Sequence, residues 1–261
     1  NLAPDVSDLY LEKVTGDQYE YRGEQVPLET RTETIRIAGD DSRTITVRST
    51  RHGPLISDPS EDMSRIGDFA PTPKGIPPTD RGEGYAVALR WTALEPSRTA
   101  DAIFQLNTAA NWEDFRAAAE KFAVPAQNLL YADTEGNIGY QSPGQIPIRT
   151  KGDGRWPVPG WTGEYEWDDR IPFDALPSVY NPPSGYLVTA NNAVIGADYP
   201  YLLTHDWSYG YRSSRIEQLI RAGGTLDAEA MARIQLDSRN GMAPELVPFL
   251  LPLATDQWVR G

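Results

Sequence analysis

The sequence predicts an α+β domain, and three observations carry that expectation. Two alternating runs near the start, 32–37 and 44–49, flank Ala-Gly-Asp-Asp, which is turn chemistry between strands. Residues 111–122 carry a cap, acidic residues in the first turn and an apolar stripe of Trp112, Phe115, Ala119 and Phe122, the pattern of an amphipathic helix. Strand-like and helix-like segments then follow one another without the regular alternation that builds a parallel sheet.

Taken in order, residues 5–14 read as a short strand that opens on acidic residues. The hairpin of 32–37 and 44–49 follows. Residues 57–84 are rich in Pro, Gly, Asp and Ser and read as a long surface loop. The apolar run 85–91 has strand length. Residues 97–106 read as a helix capped by Ser97 or Thr99. Asn111 caps the next helix. Residues 129–133 and 138–140 flank Thr-Glu-Gly-Asn and read as a second hairpin. Residues 143–184 are loop-rich. The apolar run 186–190 reads as a buried strand, and 212–222 and 227–235 as two more helices. Residues 246–253 are strongly apolar. The abrupt start and end read as those of a fragment or of one piece of a processed protein.

Composition narrows the function. The 261 residues include 24 Lys+Arg and 37 Asp+Glu, a formal net charge of −13. A chain so negative, without a basic run to offset it, repels nucleic acid and anionic lipid. Cysteine is absent, which excludes disulfides, thiol catalysis and Cys-based zinc sites. No apolar run approaches the roughly 18 residues that a membrane-spanning helix needs. The aromatic complement (7 Trp, 13 Tyr, 6 Phe) is that of a chain with a full core.

Several residues are candidates for chemistry. Asn191 and Asn192 follow the run 186–190; a side-chain amide at a strand end can donate to a developing oxyanion, or simply start a turn. Asp5 and Asp8 place two carboxylates three residues apart around a backbone carbonyl, an oxygen mixture suited to Ca²⁺, or a solvated acidic turn. Arg212 and Arg215 open a helix after an aromatic loop, where an arginine can anchor a substrate carboxylate, brace an active-site loop, or simply stand at the surface. His52, in His-Gly-Pro, reads as a structural turn residue. His205 could pair with Asp206, but no Ser nucleophile motif accompanies them.

Eight segments occur in order: N-L-A-P-D-V-S-D-L-Y-L-E-K, T-R-H-G-P, A-L-R-W-T, N-W-E-D-F, N-L-L-Y-A-D-T-E-G-N-I-G-Y, W-P-V-P-G-W-T-G-E-Y-E-W, Y-N-P-P-S-G-Y-L-V-T-A-N-N and D-W-S-Y-G-Y-R-S-S-R-I. Together they resemble the β-chain of the penicillin acylases, which are N-terminal-nucleophile hydrolases. The resemblance runs from Asn1 to Gln235. It implies that the chain, as a partial β-chain domain over 1–261, forms part of an αββα sandwich. It implies an amidohydrolase in which an N-terminal Ser, with its own α-amine as base, attacks an amide carbonyl and forms an acyl-enzyme. That Ser segment belongs upstream of Asn1 and the α-chain is separate, so both are expected partners, and this chain alone is expected to be inactive.

The resemblance also implies roles residue by residue. Asn191 becomes the side-chain oxyanion donor, and the backbone N–H of Asn1 the second donor. Arg212 supports the active site. The calcium ligands become Asp5, the Ser7 carbonyl, Asp8, the Gly154 carbonyl and Asp206, with a further ligand on the α-chain. Gln127 is expected near the acyl pocket. The substrate is a small N-acyl amide, such as a β-lactam side-chain amide or an N-acyl-homoserine lactone, and the compartment is periplasmic or secreted. Two other readings stand beside this one. A secreted carbohydrate-active or carbohydrate-binding protein would use the many Trp and Tyr with paired carboxylates, and a non-catalytic relic of the family would keep the fold alone.

Overall fold

The computed structural model describes residues 4–70 and 85–253. The expected Asn1 donor lies outside them, as does the stretch 71–84 of the long loop.

The chain opens with β1 (Ser7–Glu12), β2 (Val14–Thr15), β3 (Gln18–Tyr21), β4 (Glu24–Pro27), β5 (Glu29–Ile35), β6 (Arg43–Thr50) and β7 (Gly53–Pro54). Helix α1 (Glu61–Phe69) and strand β8 (Ala86–Trp91) precede α2 (Thr99–Leu106) and α3 (Trp112–Ala119). Six short strands follow: β9 (Leu129–Ala132), β10 (Ile138–Gln141), β11 (Pro147–Arg149), β12 (Val158–Pro159), β13 (Trp167–Arg170) and β14 (Ser178–Tyr180). Helices α4 (Tyr211–Gly223), α5 (Ala228–Gln235) and α6 (Ala243–Leu250) complete the described chain.

Strand β1 is the hub. It pairs antiparallel with β8 from Ser7 opposite Trp91 to Glu12 opposite Ala86, and parallel with β12 at Tyr10 and Leu11. Side chains alternate across a strand. Leu11 therefore packs with Tyr85, Val87 and Trp161, whereas Tyr10 packs with Tyr19, Leu28, Leu55 and Ala88. The Tyr10 face also carries Asp8 and Glu12, and all three are buried. A third cluster of Ile146, Ile171, Leu176 and Leu203 fastens the loop-rich region to the segment before α4. The Asp5 N–H donates to the Leu203 carbonyl at 2.7 Å, which brings residues 203–206 against the start of the chain.

Both expected hairpins form. β5 and β6 pair in register from Glu29 opposite Ser49 to Ile35 opposite Arg43, and β9 pairs with β10 across Asp133–Asn137. Asn111 caps α3: its side-chain oxygen accepts from the Asp114 N–H at 2.8 Å. Trp112 then stacks on Phe115 and on Tyr180 of β14.

Three local expectations fail. The loop 57–84 contains α1, capped by Ser60 through the Met63 N–H, with Glu61 and Asp62 in its first turn. The loop-like composition hid a complete start signal. Neither Ser97 nor Thr99 caps α2; the N-cap is Arg98, without a side-chain bond, and the Thr99 hydroxyl instead accepts from Ala123 and Val124. The run 186–190 forms no strand. Side chains, not a ladder, meet several of its backbone groups: Ser184 donates to the Tyr186 carbonyl, Asn192 accepts from the Ala190 N–H, and Arg212 donates to the Ala190 carbonyl.

Candidate active site

Asn191 and Arg212 meet at the surface. Asn191 has φ +64°, in the left-handed region that Asn tolerates better than other side-chain-bearing residues. Its carbonyl accepts from the Ser208 N–H at 2.8 Å, which ties the turn to the loop before α4. Gly210 begins α4 with φ +88°, and Arg212 stands in the first turn. From there one guanidinium nitrogen reaches the Ala190 carbonyl at 2.8 Å and the Asn191 side-chain oxygen at 2.6 Å.

That contact settles the orientation of the amide. A guanidinium only donates, so the atom it touches is the carbonyl oxygen. The Nδ2 end, which carries the two donors, is turned away from Arg212. Strand order does not position Asn191, contrary to the expectation from 186–190. A bolted turn does.

The acidic segment forms a second cluster. Asp8 is 5% exposed and pairs with Arg149, whose Nε lies 3.0 and 2.9 Å from its two oxygens and whose Nη2 lies 2.8 Å from Oδ1. Trp167 Nε1 donates to the same carboxylate at 2.6 Å. Arg149 also donates to the Asp5 carbonyl at 2.9 Å. Gly154 packs on this pair: a Cβ at that position would lie 2.8 Å from Asp8 Oδ1. Asp8 and Gly154 therefore lie together, with the Arg149 guanidinium against both.

Asp5 is half-buried, and its Oδ2 is buried with no hydrogen-bond partner. Burial raises its pKa, Arg149 opposes that, and the nearby Asp206 carboxylate adds to it. Ser7 and Asp206 are exposed. Among the described residues, no three His, Asp or Glu side chains converge tightly enough to hold a metal by themselves. The oxygen set that remains combines Asp5, Asp206 and backbone carbonyls, because Asp8 is committed to Arg149 and Trp167. His205 pairs with Asp153 at 3.4 Å and not with its neighbour Asp206.

His52 keeps a structural position. It is buried, with Nδ1 against Glu12 and Nε2 against Glu166. Gln127 donates to the Pro125 carbonyl two residues away. Sequence reasoning missed Arg149, Glu12 and Glu166. The signal for Glu166 was the G-E-Y-E-W run, and for Glu12 the alternation Asp8-x-Tyr10-x-Glu12. Arg149 had no local signal.

The family model described as penicillin amidase matches residues 1–260. Acyl-homoserine lactone acylase QuiP of Pseudomonas aeruginosa is 34% identical over 238 residues, which are 89% of this chain and 27% of that protein. Penicillin G acylase of Escherichia coli is 31% identical over 228 residues, covering 85% of this chain and 24% of that protein. Among solved structures, the thermostable penicillin G acylase from Alcaligenes faecalis superposes with a TM-score of 0.70 at 27% identity, over 99% of this chain and 45% of that one. The chain thus spans about a quarter of the length of these two relatives. It shares the α+β fold of an N-terminal-nucleophile hydrolase. These relatives give no support to the carbohydrate reading, and Trp161 and Trp167 are buried in the fold.

Proposed function

The chain belongs to the penicillin amidase family, and from that membership we propose that the protein containing it hydrolyses a small N-acyl amide through an acyl-enzyme. The nucleophile is a Ser on the N-terminal β-chain segment, outside this sequence. Its α-amine takes the hydroxyl proton, Oγ adds to the amide carbon, and the carbonyl oxygen becomes an oxyanion. The amine leaves with that proton, and water releases the acid.

The observation that supports a role for this chain is the Arg212–Asn191 contact. It holds the Asn191 amide by its oxygen. Two donors aimed at one point stabilise the oxyanion. We assign Asn191 as one and the Asn1 backbone N–H as the other. Arg212 is a positioning residue. The relatives named as acting on acyl-homoserine lactones and on penicillin share an N-acyl amide as substrate class.

The test assays the full-length protein on an N-acyl-homoserine lactone and on a phenylacetyl amide, beside this chain alone. Turnover by the full-length protein and none by the chain alone supports the reading. Turnover by the isolated chain overturns it.

We further propose a calcium ion shared by Asp5, Asp206 and the carbonyls of Ser7 and Gly154, with Asp8 at its margin and a further ligand on the α-chain. The buried, unpartnered Asp5 oxygen beside Asp206 favours it. A bound calcium would cross-link the acidic segment to the following loops. A further relative, the penicillin acylase 2 proenzyme of Pseudomonas sp. (31% identical over 237 residues, 90% of this chain and 28% of that protein), suits a chain made by processing of a longer precursor, with the α-chain as partner. Among the described residues no helix is long and apolar enough to cross a membrane. From membership of the family we propose a periplasmic or secreted mature enzyme.

A further inference from the structure

One face of β1 presents Asp8, Tyr10 and Glu12, all buried. Glu12 lies inside the fold, with its side chain fully inaccessible. Its Oε1 accepts from the Thr50 hydroxyl at 2.8 Å and faces His52 Nδ1 at 2.7 Å. The other ring nitrogen, Nε2, faces Glu166 Oε1 at 2.9 Å. The Tyr10 ring stacks flat on the imidazole, 3.9 Å between centroids and 2° between planes. Both ring nitrogens and one face of His52 are thus held, by β1 through Glu12 and Tyr10 and by Glu166.

A neutral imidazole has one N–H and one lone pair. With a carboxylate oxygen at each nitrogen, the neutral ring would turn its lone pair on an anion. The protonated ring donates at both ends and places a positive charge between two negative ones. The flat π-face of Tyr10 suits a cation as well.

We propose that His52 is a buried imidazolium clasp that ties β1, the turn between β6 and β7, and the segment leading into β13, and that it opens as the pH rises. The charged neighbours divide by element. β1 supplies Glu12. The segment before β13 supplies Glu166. Arg51, in the turn after β6, lies 3.7 Å from Glu166, and Arg90 of β8 lies 3.0 Å from it. Tyr21 of β3 donates to Glu166 at 3.2 Å and meets the imidazole edge-on.

The titration directions agree with that geometry. Burial alone would lower the His52 pKa, but the bonds and charges of Glu12 and Glu166 outweigh it and hold it above the ordinary 6.5. Burial would raise the Glu166 pKa, but the bond from His52 and the charges of His52, Arg51 and Arg90 hold it at about 2. A raised folded-state pKa gives stability that is complete below the unfolded value and is lost as pH rises through the folded one. A depressed one gives stability lost only in strong acid. The clasp is therefore closed in mild acid and opens as the pH rises through a His52 pKa held above 6.5. Glu166 is 15% exposed, whereas Glu12 and His52 are sealed, so the proton leaves past Glu166.

The experiment uses the full-length protein with ¹⁵N-labelled histidine, the His52→Gln variant supplying the assignment. Two protonated ring nitrogens at His52 above pH 6.5 are expected, with a titration midpoint above that value. A single-N–H neutral ring at pH 6.5 overturns the proposal. Urea unfolding across pH 6–10 supplies the second readout. The stability difference between wild type and His52→Gln should shrink as pH rises; a constant difference counts against the clasp. Should His52→Gln fail to fold, Glu166→Gln provides the comparison and the assignment. It removes one of the two anions, so the loss of stability with rising pH should move to lower pH. An unmoved window overturns the proposal.

Discussion

The Arg212 guanidinium holds the Asn191 side-chain oxygen at 2.6 Å and the carbonyl of the residue before it at 2.8 Å. One cation on the first turn of α4 therefore fixes both the backbone and the side chain of the turn that carries the candidate oxyanion donor. In the full-length protein, Asn191→Ala should lower kcat by about 10²–10³-fold, the usual cost of one such donor. The left-handed backbone adds a stability cost of roughly 1–2 kcal/mol for Ala, so Asn191→Gly serves as the control that removes the amide without that strain. Steady-state kinetics on both variants check this. Unchanged turnover would make Asn191 a turn residue only.

Arg212→Lys should reduce kcat more than it raises KM. A lysine offers a point charge without the planar fork, and it loses the shared contact with the Ala190 carbonyl and the Asn191 side-chain oxygen. Kinetics beside a melting curve separate this from simple unfolding: a loss of Tm with kcat intact would place Arg212 in the scaffold alone.

Arg149→Met should destabilise the fold strongly, by about 3–5 kcal/mol, because it leaves the buried Asp8 carboxylate without its cation. The double variant Arg149→Met with Asp8→Leu should recover much of that loss. Denaturant midpoints of the two singles and the double provide the cycle. Full additivity would mean that the pair is not coupled.

Calcium should raise the thermal midpoint of the full-length protein, and Asp5→Asn should weaken that effect. Calorimetric titration with calcium alone gives a second readout. No heat and no shift in Tm would remove the ion from the acidic segment.

Gly139→Ala should destabilise the second hairpin by roughly 1–3 kcal/mol, as overpacking does. An added Cβ would lie 2.5 Å from the Trp112 ring, which is itself held between Phe115 and Tyr180. Near-ultraviolet circular dichroism would report the displaced tryptophan.

Local patterns predicted local structure well. The hairpin at Asp133–Asn137 and the Asn111 cap rest on neighbours a few residues apart, and turn and capping chemistry is written in such spacings. The failure at 186–190 has the opposite origin. Its composition suits a strand, but strands need partners, and here Arg212 and Asn192 satisfy backbone groups that a ladder would have used. The site was legible as motif order but not as geometry. Asp5 and Asp8 look alike in sequence. Only the fold, by bringing Arg149 from 141 residues away, makes one an ion-pair partner and leaves the other with an unpartnered oxygen.

The hairpin of β5 and β6 has a practical consequence. Its register is set by seven consecutive pairs, from Glu29–Ser49 to Ile35–Arg43, while most of its side chains stand in solvent on both faces. Pairing of that kind does not depend on what lies beyond the tip. Longer surface loops cost little closure entropy, about 0.6 kcal/mol per doubling. The stretch 38–42 is therefore a place to graft an affinity tag, a fluorophore or a surface-immobilisation handle, remote in sequence from the turn of Asn191 and from the acidic segment.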